Sequence, residues 1–287
     1  MKRIAWIGVG IMGKSMVCNL MKAGFELHIY ARTRAKVEEV IAQGAVFHET
    51  IAVCVKGCEA VITMVGYPKD VEEVYFTPDA ILDRAEPGAV LVDMTTTSPA
   101  LAEKLYAEGK QRGYRMVDAP VTGGDTGAKN GTLSILVGGD RADYETCMPL
   151  FRAMGTNINY QGGPGCGQHA KMANQIMIAG TLSGVCEALT YAKAKGLDLH
   201  VLISSLATGA AGSKQLDAFG EKIVAGDYAP GFFLKHFVKD MGLALEEAQA
   251  SGLTLDILAQ VLQNYRALEG EGHGDLGTQA LIKHYGG

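Results

Sequence analysis

The chain has no long apolar run, no excess of positive charge and no tight grouping of cysteine or histidine. Each absence removes a class of function. No apolar stretch approaches the roughly 20 residues that span a bilayer, so no membrane helix is expected. The N-terminal MKRIAWIGVGIMG has a basic start and apolar residues like a signal peptide. Glycines interrupt it and no small-residue cleavage site follows, so it reads as a strand and a loop. A net charge of −5 leaves no basic face for nucleic acid, and an anionic ligand would need local positive groups. Cys18, Cys54, Cys58, Cys147, Cys166 and Cys186 are scattered, and no second ligand pair accompanies Cys54 and Cys58. The seven histidines show no paired spacing either. Neither a metal site nor a disulfide framework is expected, and the thiols suit a reducing cytoplasm.

What is present is a 287-residue globular composition, 48% hydrophobic and 20% charged, with no repeat or low-complexity tract. RIAWIGV, ELHIYA, AVITMV, AVLVDM, YRMVDAP and LSILVGG are short apolar runs rich in β-branched residues. Amphipathic segments such as KSMVCNLMKAG, RAKVEEVIAQG and PALAEKLYAEGKQRG lie between most of them. That order predicts an α/β, Rossmann-type domain with a mainly parallel sheet covered by helices. After NINYQGGPGCG the pattern becomes helical, over 169–195, 198–208, 213–225, 234–251, 254–268 and 276–284. The expected division is residues 1–162 for the sheet domain and 163–287 for an all-α domain.

Gly8-Val9-Gly10-Ile11-Met12-Gly13 follows the first strand and opens the first helix. Three glycines there permit a tight turn, close approach of a pyrophosphate and close helix packing. Glycine turns are common, but this one sits in a complete strand–helix–strand unit, which predicts dinucleotide binding. The second strand ends in Tyr30-Ala31-Arg32-Thr33-Arg34, where an NAD site would place an acid on the ribose hydroxyls. Arg32 and Arg34 can instead pair with a 2′-phosphate, and Thr33 can donate a hydroxyl, which favours NADP over NAD. The plainer alternative is two arginines at an exposed helix start.

Asp118-Ala119-Pro120-Val121-Thr122-Gly123-Gly124 lies at a strand's carboxyl end, where open sheets bind ligands. Its paired glycines can offer N–H groups to a carboxylate, or form only a flexible turn. Asp93-Met94-Thr95-Thr96-Thr97 puts hydroxyls at the same edge, or caps the helix that follows. GCGQHAKMAN, at 165–174, opens a long apolar helix with Lys171 and Asn174 three residues apart on one face. Those two residues form a solvated helix start or a catalytic pair.

Taken in order, GxGxxG, DAPVTGG, GxGxxxKxxN at 165–174 and FFLKHFVKD at 232–240 resemble the β-hydroxyacid dehydrogenases over nearly the full chain. That family includes 3-hydroxyisobutyrate dehydrogenases, tartronate-semialdehyde reductases and glyoxylate/succinic-semialdehyde reductases, relatives of 6-phosphogluconate dehydrogenase. The resemblance implies that Lys171 is the catalytic lysine and Asn174 its substrate-orienting partner. It implies that Thr122, Gly123 and Gly124 bind the substrate carboxylate. It also implies cofactor contacts from Ile11, Met12, Met64, Val65, Thr96 and Lys239, with Asp240 beside Lys239. Thr122 stands where serine is usual, Val65-Gly66 where Leu-Pro is common, and Ala31 where NADP-type members often have asparagine.

A hydroxyl oxidised by hydride loss must also lose its proton, so a base must lie within hydrogen-bond reach. A free lysine, with a pKa of about 10.4, is protonated at neutral pH, and both burial and a helix start disfavour the ammonium. The expected enzyme moves hydride reversibly between NADP(H) and a short β-hydroxy acid or its semialdehyde, at a site between the domains. One alternative is an NAD-dependent 3-hydroxyisobutyrate dehydrogenase. Another is a non-catalytic dinucleotide sensor or scaffold, against which Lys171 argues, and an imine-reducing relative would carry a different residue at 171. Substrate selectivity is expected from Tyr67, Phe233 and Phe237. The long apolar helix has more nonpolar surface than one thin domain covers, so a homodimer or homotetramer is expected.

Overall fold

The computed structural model describes residues 1–286. The chain opens with β1 (Arg3–Ile7), α1 (Ile11–Lys22), β2 (Glu26–Tyr30), α2 (Glu38–Ala42) and β3 (Val46–His48). It continues through α3 (Ile51–Val55), β4 (Ala60–Thr63), α4 (Pro68–Phe76), α5 (Ile81–Arg84), β5 (Val90–Asp93) and α6 (Pro99–Gln111). Then come β6 (Arg115–Asp118), β7 (Val121–Thr122), α7 (Gly124–Asn130), β8 (Leu133–Gly139), α8 (Arg141–Met154) and β9 (Gly155–Gly162). The strands form one sheet in the order β3-β2-β1-β4-β5-β6-β8-β7, with β9 also pairing β8. Pairing is parallel from β3 to β6, antiparallel where β8 meets β6 and β7, and parallel again between β8 and β9.

Period-two alternation explains why the central strands read as unbroken apolar runs. Ile4 and Trp6 enter one core cluster with Ile62, Val90 and Val92, while Ala5 and Ile7 enter another with Val61 and Leu91. Both faces are covered, so both sets of side chains must be apolar. Three strands are absent from the sequence reading. β3 and β7 are short, and β9, sequence GTNINYQG, has only its first residue fully buried, so burial imposes no apolar pattern on it.

The helical part comprises α9 (Cys166–Ala194), α10 (Leu199–Ala207), α11 (Lys214–Val224), α12 (Leu234–Ala250) and α13 (Asp256–Leu268). The last expected helix is a 3₁₀ segment, Thr278–Tyr285. Its core joins Leu182, Cys186 and Leu189 with Phe237, Met241 and Tyr265. Contacts divide the chain into two compact units, Met1–Lys171 and Met172–Gly287. This division falls later than the expected start of the second domain at residue 163. The first turns of α9 group with the sheet because Asp118, at the end of β6, accepts hydrogen bonds from their backbone.

Candidate active site

The loop from β1 to α1 is built for close approach. Gly8 has φ +97°, donates its N–H to Tyr30 O (3.0 Å), and accepts from Trp6 Nε1 at its own carbonyl (2.9 Å). A Cβ on Gly8 would lie 2.3 Å from Met64 O, and one on Gly13 would lie 2.4 Å from Gly8 O. At Gly10, by contrast, a Cβ would meet nothing within 4 Å. Gly10 supplies no side-chain cap, so the first N–H groups of α1, at Ile11, Met12 and Gly13, meet no capping side chain. Open space before an uncapped helix N-terminus fits a pyrophosphate.

Beyond β2, Arg32, Thr33 and Arg34 are all exposed. Arg32 Nη1 lies 3.4 Å from Asp70 Oδ1, and the buried Asp70 also accepts the Tyr67 N–H (3.0 Å) at the start of α4. Arg34 is engaged elsewhere: its Nε donates to Glu38 (3.2 Å), Nη1 is 3.8 Å from Glu49, and the guanidinium stacks over Phe47. Sequence reasoning missed Asp70, which approaches Arg32 from a different strand–helix turn.

The carboxyl ends of β4 and β5 share a buried network. Asp93 Oδ1 accepts from Thr63 Oγ1 (2.7 Å) and from the Thr95 N–H (3.0 Å), and Thr95 Oγ1 accepts the Val65 N–H (3.0 Å). Asp93 is 1% exposed, and burial pushes its carboxyl up to about 6 despite those donors. Thr95 and Thr97 are buried, whereas Thr96 between them is half-exposed, as are Met64 and Val65.

The end of β6 holds the helix that carries Lys171. Asp118 Oδ1 accepts the Gly165 N–H (2.9 Å) and Oδ2 accepts the Gln168 N–H (2.8 Å). Burial raises the Asp118 carboxyl, and these backbone donors oppose that rise. Gln168 is fully buried; its Nε2 donates to Thr95 O (2.8 Å) and its Oε1 accepts the Thr97 N–H (3.1 Å). Here the second glycine of GCGQHAK finds its reason. A Cβ on Gly167 would lie 2.5 Å from Leu136 O, and one on Gly138 would lie 2.5 Å from Asp118 Oδ1. After Asp118 the chain leads into Thr122, Gly123 (φ +131°) and Gly124 (φ +65°), and the two glycines are exposed. Lys171, three residues beyond Gln168, is 7% exposed.

In the second unit, Asn174 Nδ2 donates to Gln175 Oε1 (2.6 Å) and Gln175 Nε2 donates to Asp240 Oδ2 (2.6 Å). Lys239 Nζ lies 2.9 Å from Asp240 Oδ1. Asn174 and Lys239 are thus joined through two buried residues. No group of three metal-binding side chains occurs among the described residues.

Residues 3–163 match the NAD binding domain of 6-phosphogluconate dehydrogenase. Residues 165–285 match the NAD-binding domain of NADP-dependent 3-hydroxyisobutyrate dehydrogenase. The chain belongs to the β-hydroxyacid dehydrogenase family. A probable mitochondrial 3-hydroxyisobutyrate dehydrogenase-like protein of Arabidopsis thaliana is 45% identical, the alignment covering 98% of this chain and 84% of that one. An NAD-dependent L-serine dehydrogenase of Pseudomonas aeruginosa is 36% identical, over 96% of this chain and 95% of that one. The solved Mycobacterium tuberculosis 3-hydroxyisobutyrate dehydrogenase with L-serine superposes with a TM-score of 0.88, at 28% identity, covering 99% and 98% of the two chains.

As a β-hydroxyacid dehydrogenase, the chain is an NAD(P)-dependent oxidoreductase of hydroxy acids. The glycine loop, Arg32, Met64, Val65, Thr96, Thr122–Gly124 and Lys171 all lie in the unit Met1–Lys171, at or after the carboxyl ends of its strands or on the first turns of α9. Asn174 and Lys239 lie in the other unit. Gln168 and Gln175 escaped sequence reasoning, because a glutamine in a helix carries no local signal of a distant partner. Phe237 is fully buried in the core, edge-on to Tyr265. Tyr67 and Phe233 are half-buried.

Proposed function

We propose that this enzyme transfers hydride reversibly between NADP(H) and a short β-hydroxy acid or its semialdehyde, with Lys171 as general acid–base. The observation that carries this reading is a buried lysine on a helix end tied to the carboxyl edge of the sheet. Bound nicotinamide dinucleotide supplies the hydride acceptor or donor. Neutral Lys171 takes the hydroxyl proton as the alcohol is oxidised, and its ammonium returns that proton to the carbonyl oxygen in reduction. Thr122, Gly123 and Gly124 hold the substrate carboxylate, and Asn174 orients the substrate without adding charge. The cradle at Gly8, Gly10, Ile11, Met12 and Gly13 would hold the pyrophosphate, and Thr96 and Lys239 would each contact the cofactor.

NADP is favoured because β2 ends in arginines and offers no acid. A second reading, NAD with 3-hydroxyisobutyrate or serine, draws on the carboxylates that already engage both guanidiniums. Six cysteines without disulfides suit the cytoplasm. A homo-oligomer would cover exposed Met177 and Ile257, which line one surface groove of the helical unit. Among the described residues no helix is long and apolar enough to cross a membrane.

The test is a turnover panel of 3-hydroxyisobutyrate, L-serine, tartronate semialdehyde and succinic semialdehyde with both cofactors. Highest efficiency is expected with NADP(H). Lys171→Ala should lower turnover by roughly 10²–10⁴-fold while leaving NADPH affinity, read by nucleotide fluorescence, near the parent value. A folded Lys171→Ala enzyme with near-parent turnover would remove the lysine from the chemistry. Absence of turnover with every pair would place the substrate outside these four compounds.

A further inference from the structure

Asp118 stands where three functional segments meet. Its backbone leads into Thr122–Gly124, its carboxylate holds the first turn of α9, and its register partner on β5 is Asp93. Gln168 completes the arrangement, because its amide is bonded on both sides to the segment that carries Thr96. Little slack remains. The Gly167 and Gly138 positions would each place a Cβ 2.7 Å or closer to Asp118 oxygens, so the helix end cannot slide without collision. A buried carboxylate is costly unless well satisfied, and here a helix N-terminus satisfies both of its oxygens. The lysine follows Gln168 by three residues, within the next helical turn.

We propose that Asp118 and Gln168 are positioning residues that set Lys171 against the substrate-carboxylate loop and the Thr96 segment. This rests on Lys171 as the proton-transfer group. The carboxylate fixes the start of the helix to β6, and the amide fixes its rotation to the loop after β5. Together they hold the base where small displacements are costly to rate.

A double-mutant cycle separates positioning from plain stabilisation. Asp118→Asn loses one acceptor and the charge, and Gln168→Met removes the side-chain bonds but keeps the length and the backbone N–H. Each is made in the parent and in a Lys171→Met background, and turnover is measured on the best acid of the panel with NADP⁺. Each should lower kcat by about tenfold or more in the parent, and by less than about twofold where the lysine is already gone. NADPH affinity of Asp118→Asn should stay within about threefold of the parent, because the bonds it loses lie on the helix end. Equal factors in the two backgrounds, or parent-like kcat in both single variants, would overturn the proposal whatever happens to Tm. So would failure of both variants to fold, which would assign the bonds to stability. If Lys171→Met itself keeps the parent rate, the reading of Lys171 fails, and that outcome is visible before the cycle is closed.

Discussion

Arg32 is the side chain on which the proposed choice of NADP over NAD chiefly rests. Its guanidinium is exposed at the end of β2 and lies 3.4 Å from Asp70, whose carboxylate also accepts the Tyr67 N–H just before α4. At 3.4 Å, with Arg32 largely exposed, this is a loose pair of small net value. Arg34 differs, since Glu38, Glu49 and the Phe47 ring all compete for it. Most of the 2′-phosphate discrimination should therefore fall on Arg32. Arg32→Asp is expected to weaken NADPH and to favour NADH, as its carboxylate repels the phosphate and can accept from ribose hydroxyls. A charge-assisted contact contributes about 1.5–3 kcal/mol, roughly one to two decades in kcat/KM for NADPH. The ratio of efficiencies with the two cofactors measures it. An unchanged ratio would place phosphate recognition elsewhere.

The edge formed by β5 and β6 is the element on which the proposed site depends, and its chemistry should show in the pH dependence of stability. Asp93 and Asp118 are register partners on adjacent parallel strands, both buried at the carboxyl ends. The helix end satisfies Asp118 at both oxygens, whereas Asp93 Oδ2 has no hydrogen-bond partner among the described residues. The proton is therefore better placed on Asp93, whose carboxyl is raised from 3.8 to about 6. The folded state holds this proton more tightly than the unfolded chain. Its contribution is full below the unfolded value and is lost as pH rises through the folded one. Across about pH 4 to 6 the loss from Asp93 is on the order of 2–3 kcal/mol, and the raised Asp118 adds in the same sense. Asp93→Asn keeps an oxygen for Thr63 and Thr95 but cannot ionise. Its stability should fall less steeply than the parent's over that window, as read by urea midpoints at several pH values. Parallel curves for the two proteins would mean that Asp93 does not titrate there.

At the scale of the whole molecule, what could be read from the sequence follows burial and backbone constraint. Six strands were legible because both faces of the sheet are covered, and the glycine loop because its turn and close contacts exclude a side chain. β9 was not, since a strand with only its first residue fully buried needs no apolar pattern. The tight start of the helix that carries Lys171 was legible through Gly167, whose Cβ would collide with Leu136 and Asp118 oxygens. Asp70, Gln168 and Gln175 were not. Their partners lie 38, 71 to 73 and 65 residues away, and only folding brings them together. The chain forms two units with separate cores, yet α9 begins in one and ends in the other without a break. A ligand that binds only the folded chain stabilises it by mass action, by about 2.7 kcal/mol at 100 times its Kd. For a chain of this size that raises Tm by roughly 5–8 °C. NAD⁺ at the same concentration, bound one to two decades more weakly, should add only about 1–4 °C. Arg32→Asp should reduce the NADP⁺ shift to that smaller range. Calorimetry of parent and variant with each nucleotide provides the measurement, and it needs no knowledge of the substrate. A shift with NAD⁺ equal to or larger than that with NADP⁺ would overturn the NADP preference while leaving the family and its chemistry intact.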